Sequence, residues 1–371
     1  MNSELAHADR PARPLIVFHV GLGKCGSTSI QHLLEAGRIQ GSAEFIYTGT
    51  NLQHCCEVVQ PWQSDGGFHS MLATGDWQEQ YIEIVEREIE QAVKNNIPRI
   101  IVSNESIFGL YAAFEPVFNR VKDKADLAYI VVVRNFIELA FSSYMQWFVK
   151  DKTLAGPLLS FGEWLALERD GLPWIHEELG LWLSSTYFKS KNLISLDKTC
   201  DLLEEFCSLA DIQPTIKGGE SKRMNQKDDQ LTFLLRTVYQ SMQTGKSPPE
   251  RFEDGVLRAI QRLSTRAPVS VQIPSDIAPR GDDLAILVEA CNLRAKLFNE
   301  VLTKFNLDKH FMHESSLLDI AVPAAMHACS IEEDKLKVLN ALAIAMLAIE
   351  SQQQRISELE SQIFRSKCVP G

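Results

Sequence analysis

Three short stretches of the chain carry residue types that can grip an anion and move a proton beside it. The first is Gly21-Leu22-Gly23-Lys24-Cys25-Gly26-Ser27-Thr28-Ser29. Three glycines let the backbone come close to a phosphate, three hydroxyls donate to it, and Lys24 adds a movable positive charge. The second stretch begins at Arg134 and reaches Ser142 eight residues later. A guanidinium grips phosphate in bidentate fashion, and a serine hydroxyl two helical turns on can complete the hold. The third is Ile100-Ile101-Val102-Ser103-Asn104-Glu105, which delivers a carboxylate at the end of an apolar run.

Each stretch depends on the element that precedes it. Leu15 to Val20 is nearly all apolar and reads as a buried strand. From Ser27, Ile30, Leu33 and Leu34 recur at helical spacing. Strand, glycine turn and helix make an anion site, because first-turn N–H groups lack intrahelical partners and the dipole favours negative charge. Leu127 to Val133 is the strongest strand signal in the chain, and it runs straight into Arg134. Open α/β sheets bind ligands beyond the carboxyl ends of their strands, so the Lys24 loop, Glu105 and Arg134 all fall where a ligand belongs.

Further strands are expected at Glu44 to Tyr47 and Asn192 to Leu196. Helices are expected at Gln80 to Lys94, Glu115 to Lys124, Phe161 to Arg169, Ile175 to Phe188, Thr199 to Ala210, Asp228 to Met242 and Asp282 to Phe305. Asn135 with Glu138 makes a capping box for a helix to about Val149. Thr48 to Gly75 reads as irregular. The alternation predicts an α/β fold, a P-loop-like parallel sheet with helices on both faces and a C-terminal helical tail.

The order of residues around Lys24 narrows the ligand. A nucleoside-triphosphatase loop places its lysine just before a Mg²⁺-binding hydroxyl. Here Lys24 comes first and Gly26-Ser27-Thr28 follow. The loop resembles the K-x-G-[ST]-[ST] 5′-phosphosulfate loop of sulfotransferases that use 3′-phosphoadenosine 5′-phosphosulfate. Arg134 to Tyr144 resembles the 3′-phosphate motif of the same family, an Arg with a Ser eight residues on. The order of the two motifs and their separation of roughly 110 residues also resemble the family. Two positions depart from it: Phe136 stands where Pro is frequent, and Cys25 where Thr or Ser is usual.

The resemblance implies a fold, a donor and roles. It covers Leu15 to about Phe305, and it implies no metal. Gly23, Lys24, Cys25, Gly26, Ser27, Thr28 and Ser29 would hold the 5′-phosphosulfate, with Lys24 at the oxygen bridging phosphate and sulfate. Arg134 and Ser142 would hold the 3′-phosphate. Lys217 to Asn225 resembles the loop that covers the donor, which makes Lys222 and Arg223 candidate contacts. Glu105 is the candidate base, a role that a Glu plays in the glycan-modifying branch. That likeness alone points to a carbohydrate or glycolipid hydroxyl as acceptor, with a small metabolite as the rival. His19 is a rival base near the end of the first strand, and Cys25 is an expected target of thiol reagents. His54 and His69 are candidates for the acceptor side. The six tryptophans are core residues by default.

Two other classes stay open from the residues alone. A P-loop nucleotide-dependent kinase would need the loop to serve Mg·ATP. A non-catalytic oligomer would be built on the tail, where Leu342, Ile349, Ile356 and Ile363 recur every seven residues. The tail, residues 331–366, reads either as a coiled coil pairing two copies into a homodimer or as an amphipathic helix folded back on its own domain. Residues 1–14 read as a flexible N-terminus and 15–320 as the sulfotransferase domain.

Composition limits the partners. With a net charge of -11, the chain lacks the basic surplus of a nucleic-acid binder. Eight scattered cysteines without a C-x-x-C pair read as free thiols in a reducing compartment. No signal-peptide pattern and no membrane-spanning run is visible, so the expectation is a cytoplasmic protein.

Overall fold

The computed structural model describes residues 13–41, 43–55, 61–64, 67–151, 155–156, 158–168, 175–213, 281–308 and 311–317, with single positions at 237, 279, 320, 322 and 355. The described residues fall into two compact units. The first is drawn from Met1–Leu139, Pro173–Asn225 and Asn292–Glu314, the second from Ala140–Leu172, Gln226–Cys291 and Ser315–Gly371.

The first unit is built on five parallel strands: β1 (Leu15–Gly21), β2 (Phe45–Tyr47), β3 (Arg99–Ser103), β4 (Asp126–Val133) and β5 (Ser190–Ser195). Their order across the sheet is β2-β3-β1-β4-β5. The central strands β1 and β4 are buried along almost their whole length, as runs of Val, Ile, Leu and Phe in a doubly covered parallel sheet should be. The register sets Gly21 opposite Val132 and His19 opposite Ser103.

Neighbouring residues of β1 show that both faces are covered. The Phe18 ring meets Phe118 of α5 (Tyr111–Val121) edge-on, with centroids 5.2 Å apart. The next residue, His19, points the other way and meets Phe206 of α9 (Leu202–Ala210) at 5.3 Å. α9 packs beside α1 (Ser27–Ile39) on that second face. On the first face α5 packs between α4 (Trp77–Asn95) and α8 (Ile175–Ser184). There Trp182 is wholly buried and donates to the Phe108 carbonyl at 2.9 Å. This is the P-loop-like α/β architecture expected from the sequence, a parallel sheet with helices on both faces.

Three local features differ from expectation. Residues 48–75 are not uniformly irregular: Pro61–Ser64 forms a short helix α2 and Gly67–Leu72 a short helix α3. Glu105–Leu110 is a 3₁₀ turn that leads into α5 four residues ahead of the expected start. The capping box at Asn135 is only half formed. Asn135 Oδ1 accepts the Ile137 N–H at 2.9 Å and caps α6 (Phe136–Ser143), but Asp197 takes the Asn135 N–H and Glu138 bonds Arg134 instead.

The chain passes from the first unit to the second within α6, after Leu139. In the second unit α6 is followed by a π-helical stretch, Tyr144–Lys150. Tyr144 is fully buried, donates to the Leu159 carbonyl at 2.9 Å, and packs on Phe161 and Trp164 of α7 (Phe161–Glu168). α10 (Gly281–Lys304) is the last described helix. The helix expected at Asp228 to Met242 and the 331–366 tail lie outside the described residues, apart from the single positions 237 and 355. Among the described residues no helix is long and apolar enough to cross a membrane.

Candidate functional site

Because all five strands are parallel, every loop that follows a strand end opens on one edge of the sheet. That edge of the first unit collects the Lys24 loop after β1, the Glu105 turn after β3, Arg134 after β4 and Asp197 after β5.

The loop is shaped by two left-handed residues. Lys24 has φ 69° and Gly26 φ 89°, on either side of Cys25. Such alternation turns successive amides into a concavity suited to an anion. The left-handed conformation of Lys24, a non-glycine residue, is a cost of the kind that persists at ligand clamps. At Gly21 the chain passes so close to β4 that a Cβ would lie 2.9 Å from the Val132 carbonyl oxygen. At Gly26 a Cβ would lie 2.4 Å from Leu202, so α9 packs directly on the turn. At Gly23, by contrast, a Cβ would meet no atom of the described residues within 4 Å.

No side chain caps α1. Ser27, its first residue, is 4% exposed, and its Oγ has no hydrogen-bond partner among the described residues. A buried hydroxyl left unsatisfied costs about 1–3 kcal/mol, and an anion oxygen at this helix start would satisfy it. Lys24, Thr28 and Ser29 are half-buried around the same turn.

Cys25 differs from the sequence expectation. Its side chain is wholly buried, and burial pushes the thiol up to about 12. Cys25 can face a ligand only through its backbone, and the expected sensitivity to thiol reagents is reversed. The sulfur also registers which charges surround the loop: Arg134 favours the thiolate, while Asp197 and Glu105 oppose it. Three strand-end groups thus act on one atom of the Lys24 loop.

Arg134 is held one helical turn along its own chain, with Nη2 2.8 Å from Glu138 Oε2. Its Nε is buried without a partner among the described residues. Glu105 opens the 3₁₀ turn, and Asn104 rather than Glu105 caps it, accepting the Ser106 N–H at 2.9 Å. The carboxylate accepts instead from Gln31 Nε2 of α1 at 3.1 Å. It is half-buried and turned toward the Lys24 loop helix.

Ser142 is half-buried on α6 but falls in the second unit, so its pairing with Arg134 rests on the eight-residue spacing. Lys222 and Arg223 lie outside the described residues. His19 is a core residue rather than a base. It is wholly buried, its Nδ1 is 2.7 Å from Ser103 Oγ, and burial lowers it to about 3. His54 bonds Glu35 at 2.9 Å; of the His69 side chain nothing is described. Trp62, Trp164 and Trp182 are buried, Trp77 is half-buried and Trp147 is 48% exposed in the second unit. Trp174 lies outside the described residues.

Two residues of this edge were not anticipated. Asp197 follows β5 as Arg134 follows β4, so the strand-end rule applied once more finds it. Gln31 lies one turn beyond Ser27 on α1, on the face that a helical wheel turns toward the β3 side.

No protein-family model matches the chain, and no curated protein matches it.

Proposed function

We propose that the protein is a sulfotransferase that takes a sulfuryl group from 3′-phosphoadenosine 5′-phosphosulfate and gives it to a hydroxyl, that of a carbohydrate or glycolipid. The observation that carries this reading is the buried Ser27 hydroxyl, without a partner among the described residues, in an uncapped helix start behind a loop whose lysine precedes its glycine. The strand-end guanidinium of Arg134, with its own unpartnered Nε, supports a second anionic group on the ligand.

The donor supplies an activated sulfuryl group and a diphosphate leaving group. As the acceptor oxygen bonds to sulfur and the bond from sulfur to the 5′-phosphate oxygen breaks, the acceptor proton passes to Glu105 and 3′,5′-adenosine diphosphate leaves. Glu105 is suited to the proton because Gln31 orients it. Lys24 and the first-turn amides of α1 neutralise the charge that grows on the leaving phosphate. Arg134 grips the 3′-phosphate, the group that separates this donor from ordinary adenine nucleotides, and Ser142 is assigned to the same phosphate by its spacing from Arg134 in the sequence alone.

Calorimetry with 3′,5′-adenosine diphosphate against ATP tests the assignment. Tight binding of the first, weak binding of the second and loss of the preference in Arg134→Ala are expected. Equal affinities for the two nucleotides, or a strict Mg²⁺ requirement for turnover, would overturn it.

A further inference from the structure

Beside Glu105 lies a polar row that the donor chemistry does not use. It runs along α1. Gln31, Glu35 and Arg38 are spaced four and three residues apart, which sets them on one helix face with neighbouring Cβ atoms about 5–6 Å from each other. Gln31 holds Glu105 at 3.1 Å. One turn on, Glu35 accepts from His54 Nε2 at 2.9 Å and from Arg38 Nε at 3.0 Å. The Tyr47 ring stands 5.7 Å from His54, and burial, with smaller contributions from the Glu35 and Glu105 charges, holds its hydroxyl in the protonated form. One strip of helix therefore links the candidate base to a carboxylate, an imidazole and a guanidinium.

The loop that brings His54 there is built rather than loose. His54 N–H bonds the Thr48 carbonyl at 3.1 Å, and the Gln63 amide bonds the Leu52 carbonyl at 2.6 Å. Gly49 takes φ 83° with the Gln53 amide packed where a Cβ would be. The Asn104 side chain donates to the Thr50 carbonyl at 2.8 Å, which pins this loop to the residue preceding Glu105. The apolar members of the same region, Leu52, Cys55, Tyr47 and Trp62, are all buried.

We infer that this row is the acceptor subsite, and that it selects an uncharged or amino sugar over an anionic glycan or an apolar alcohol. The inference rests on the sulfotransferase reading and narrows the acceptor within the carbohydrates. A polyol needs closely spaced donors and acceptors, which Gln31, Glu35, Arg38 and His54 supply. With Nε2–H donating to Glu35, the His54 Nδ1 is the lone-pair nitrogen, and burial, against the pull of Glu35, lowers the pKa and favours the neutral ring. Two carboxylates, Glu35 and Glu105, flank the row against one guanidinium, so a uronate or sulfate group meets repulsion. An apolar alcohol finds little apolar wall among the described residues, because Leu52, Cys55, Tyr47 and Trp62 face the core and the exposed Ile39, one turn beyond Glu35, is a single side chain.

The test uses the full chain saturated with 3′,5′-adenosine diphosphate. Saturation-transfer NMR is recorded with maltotriose, N-acetylchitotriose, a hyaluronan tetrasaccharide and 2-naphthol at equal concentration. Binding of at least one of the first two, and of neither of the last two, is expected. Gln31→Ala and Glu35→Gln should weaken the sugar at least tenfold with nucleotide affinity unchanged. Glu35→Lys should admit the hyaluronan fragment. The inference fails if the naphthol or the uronate binds best in the native chain, if no sugar binds, or if the Gln31 and Glu35 variants leave sugar affinity intact. If the native chain does not bind 3′,5′-adenosine diphosphate at all, the donor reading fails instead, and the calorimetry shows this before any sugar is added.

Discussion

Arg134 and Glu138 form an ion pair one helical turn apart, with Nη2 2.8 Å from Oε2, at the spot where the 3′-phosphate would need the guanidinium. On the donor reading proposed above, Glu138 would compete with the 3′-phosphate for Arg134. A dianionic phosphate outweighs one carboxylate, but it must first displace it. Both side chains are partly buried, so the competition is not fully screened.

Opposite effects are expected from the two partners. Arg134→Ala removes charge-assisted bonds worth about 1.5–3 kcal/mol, or roughly 10- to 150-fold in affinity for 3′,5′-adenosine diphosphate. Glu138→Gln removes the competitor and should tighten the same ligand several-fold. Titration calorimetry of both variants reads this directly. Weaker binding in Glu138→Gln would mean that the carboxylate orients the guanidinium rather than competing for it.

The loop glycines should separate folding from binding. Gly26→Ala forces a side chain into the left-handed region, at about 1–2 kcal/mol, and drives its Cβ into Leu202. Its urea midpoint should fall. Gly23→Ala adds a methyl that meets no atom of the described residues within 4 Å, so its midpoint should stay near that of the native chain. Nucleotide affinity should nonetheless drop in Gly23→Ala, because that residue lies in the loop where a phosphate belongs. Unchanged affinity there would move the ligand off the loop.

The centre of the sheet was legible because β1, β3 and β4 are buried and read as continuous apolar runs; the strand ends came out within about two residues. The strand-end rule then located Lys24, Glu105 and Arg134 without any coordinates. The side-chain pairings were not legible. Whether Glu138 caps α6 through the Asn135 N–H or pairs with Arg134 depends on Asp197, which takes that N–H from 62 residues away in the sequence. His19 was readable as a strand residue, but only the packing of Phe206 and the Ser103 hydroxyl marks it as a core group. Cys25 looked exposed because glycine loops usually are; its burial follows from the left-handed turns on both sides of it, which send its side chain inward.

Thiol labelling tests that burial. Reaction needs thiolate, and a pKa pushed up to about 12 leaves Cys25 about one part in ten thousand ionised at pH 8. Cys200, on the exposed turn before α9, should take iodoacetamide in the native protein, and Cys25 only after unfolding. Peptide mass spectrometry of labelled protein distinguishes the two. Modification of Cys25 at the rate of Cys200 would show that the loop opens in solution.

His19 makes stability depend on pH in a window that no exposed histidine would give. In the folded chain burial lowers its pKa from 6.5 to about 3, so the imidazole stays neutral there while the unfolded chain takes up a proton below about 6.5. The unfolded state therefore binds more protons between those two values. The contribution is complete above pH 6.5 and is lost as pH falls toward 3, at about 1.4 kcal/mol per unit within the window. His19→Asn keeps an amide near the Ser103 hydroxyl without a titrating group. It should be less stable than the native chain at pH 7, since it leaves a void beside Phe206, yet its urea midpoint should fall less between pH 6.5 and 5. Above pH 5 the ordinary carboxylates contribute little to the slope, so the difference between the two chains isolates His19. Parallel slopes would mean that the imidazole reaches water in the folded state, and the case for His19 as a proton acceptor beside Glu105 would reopen.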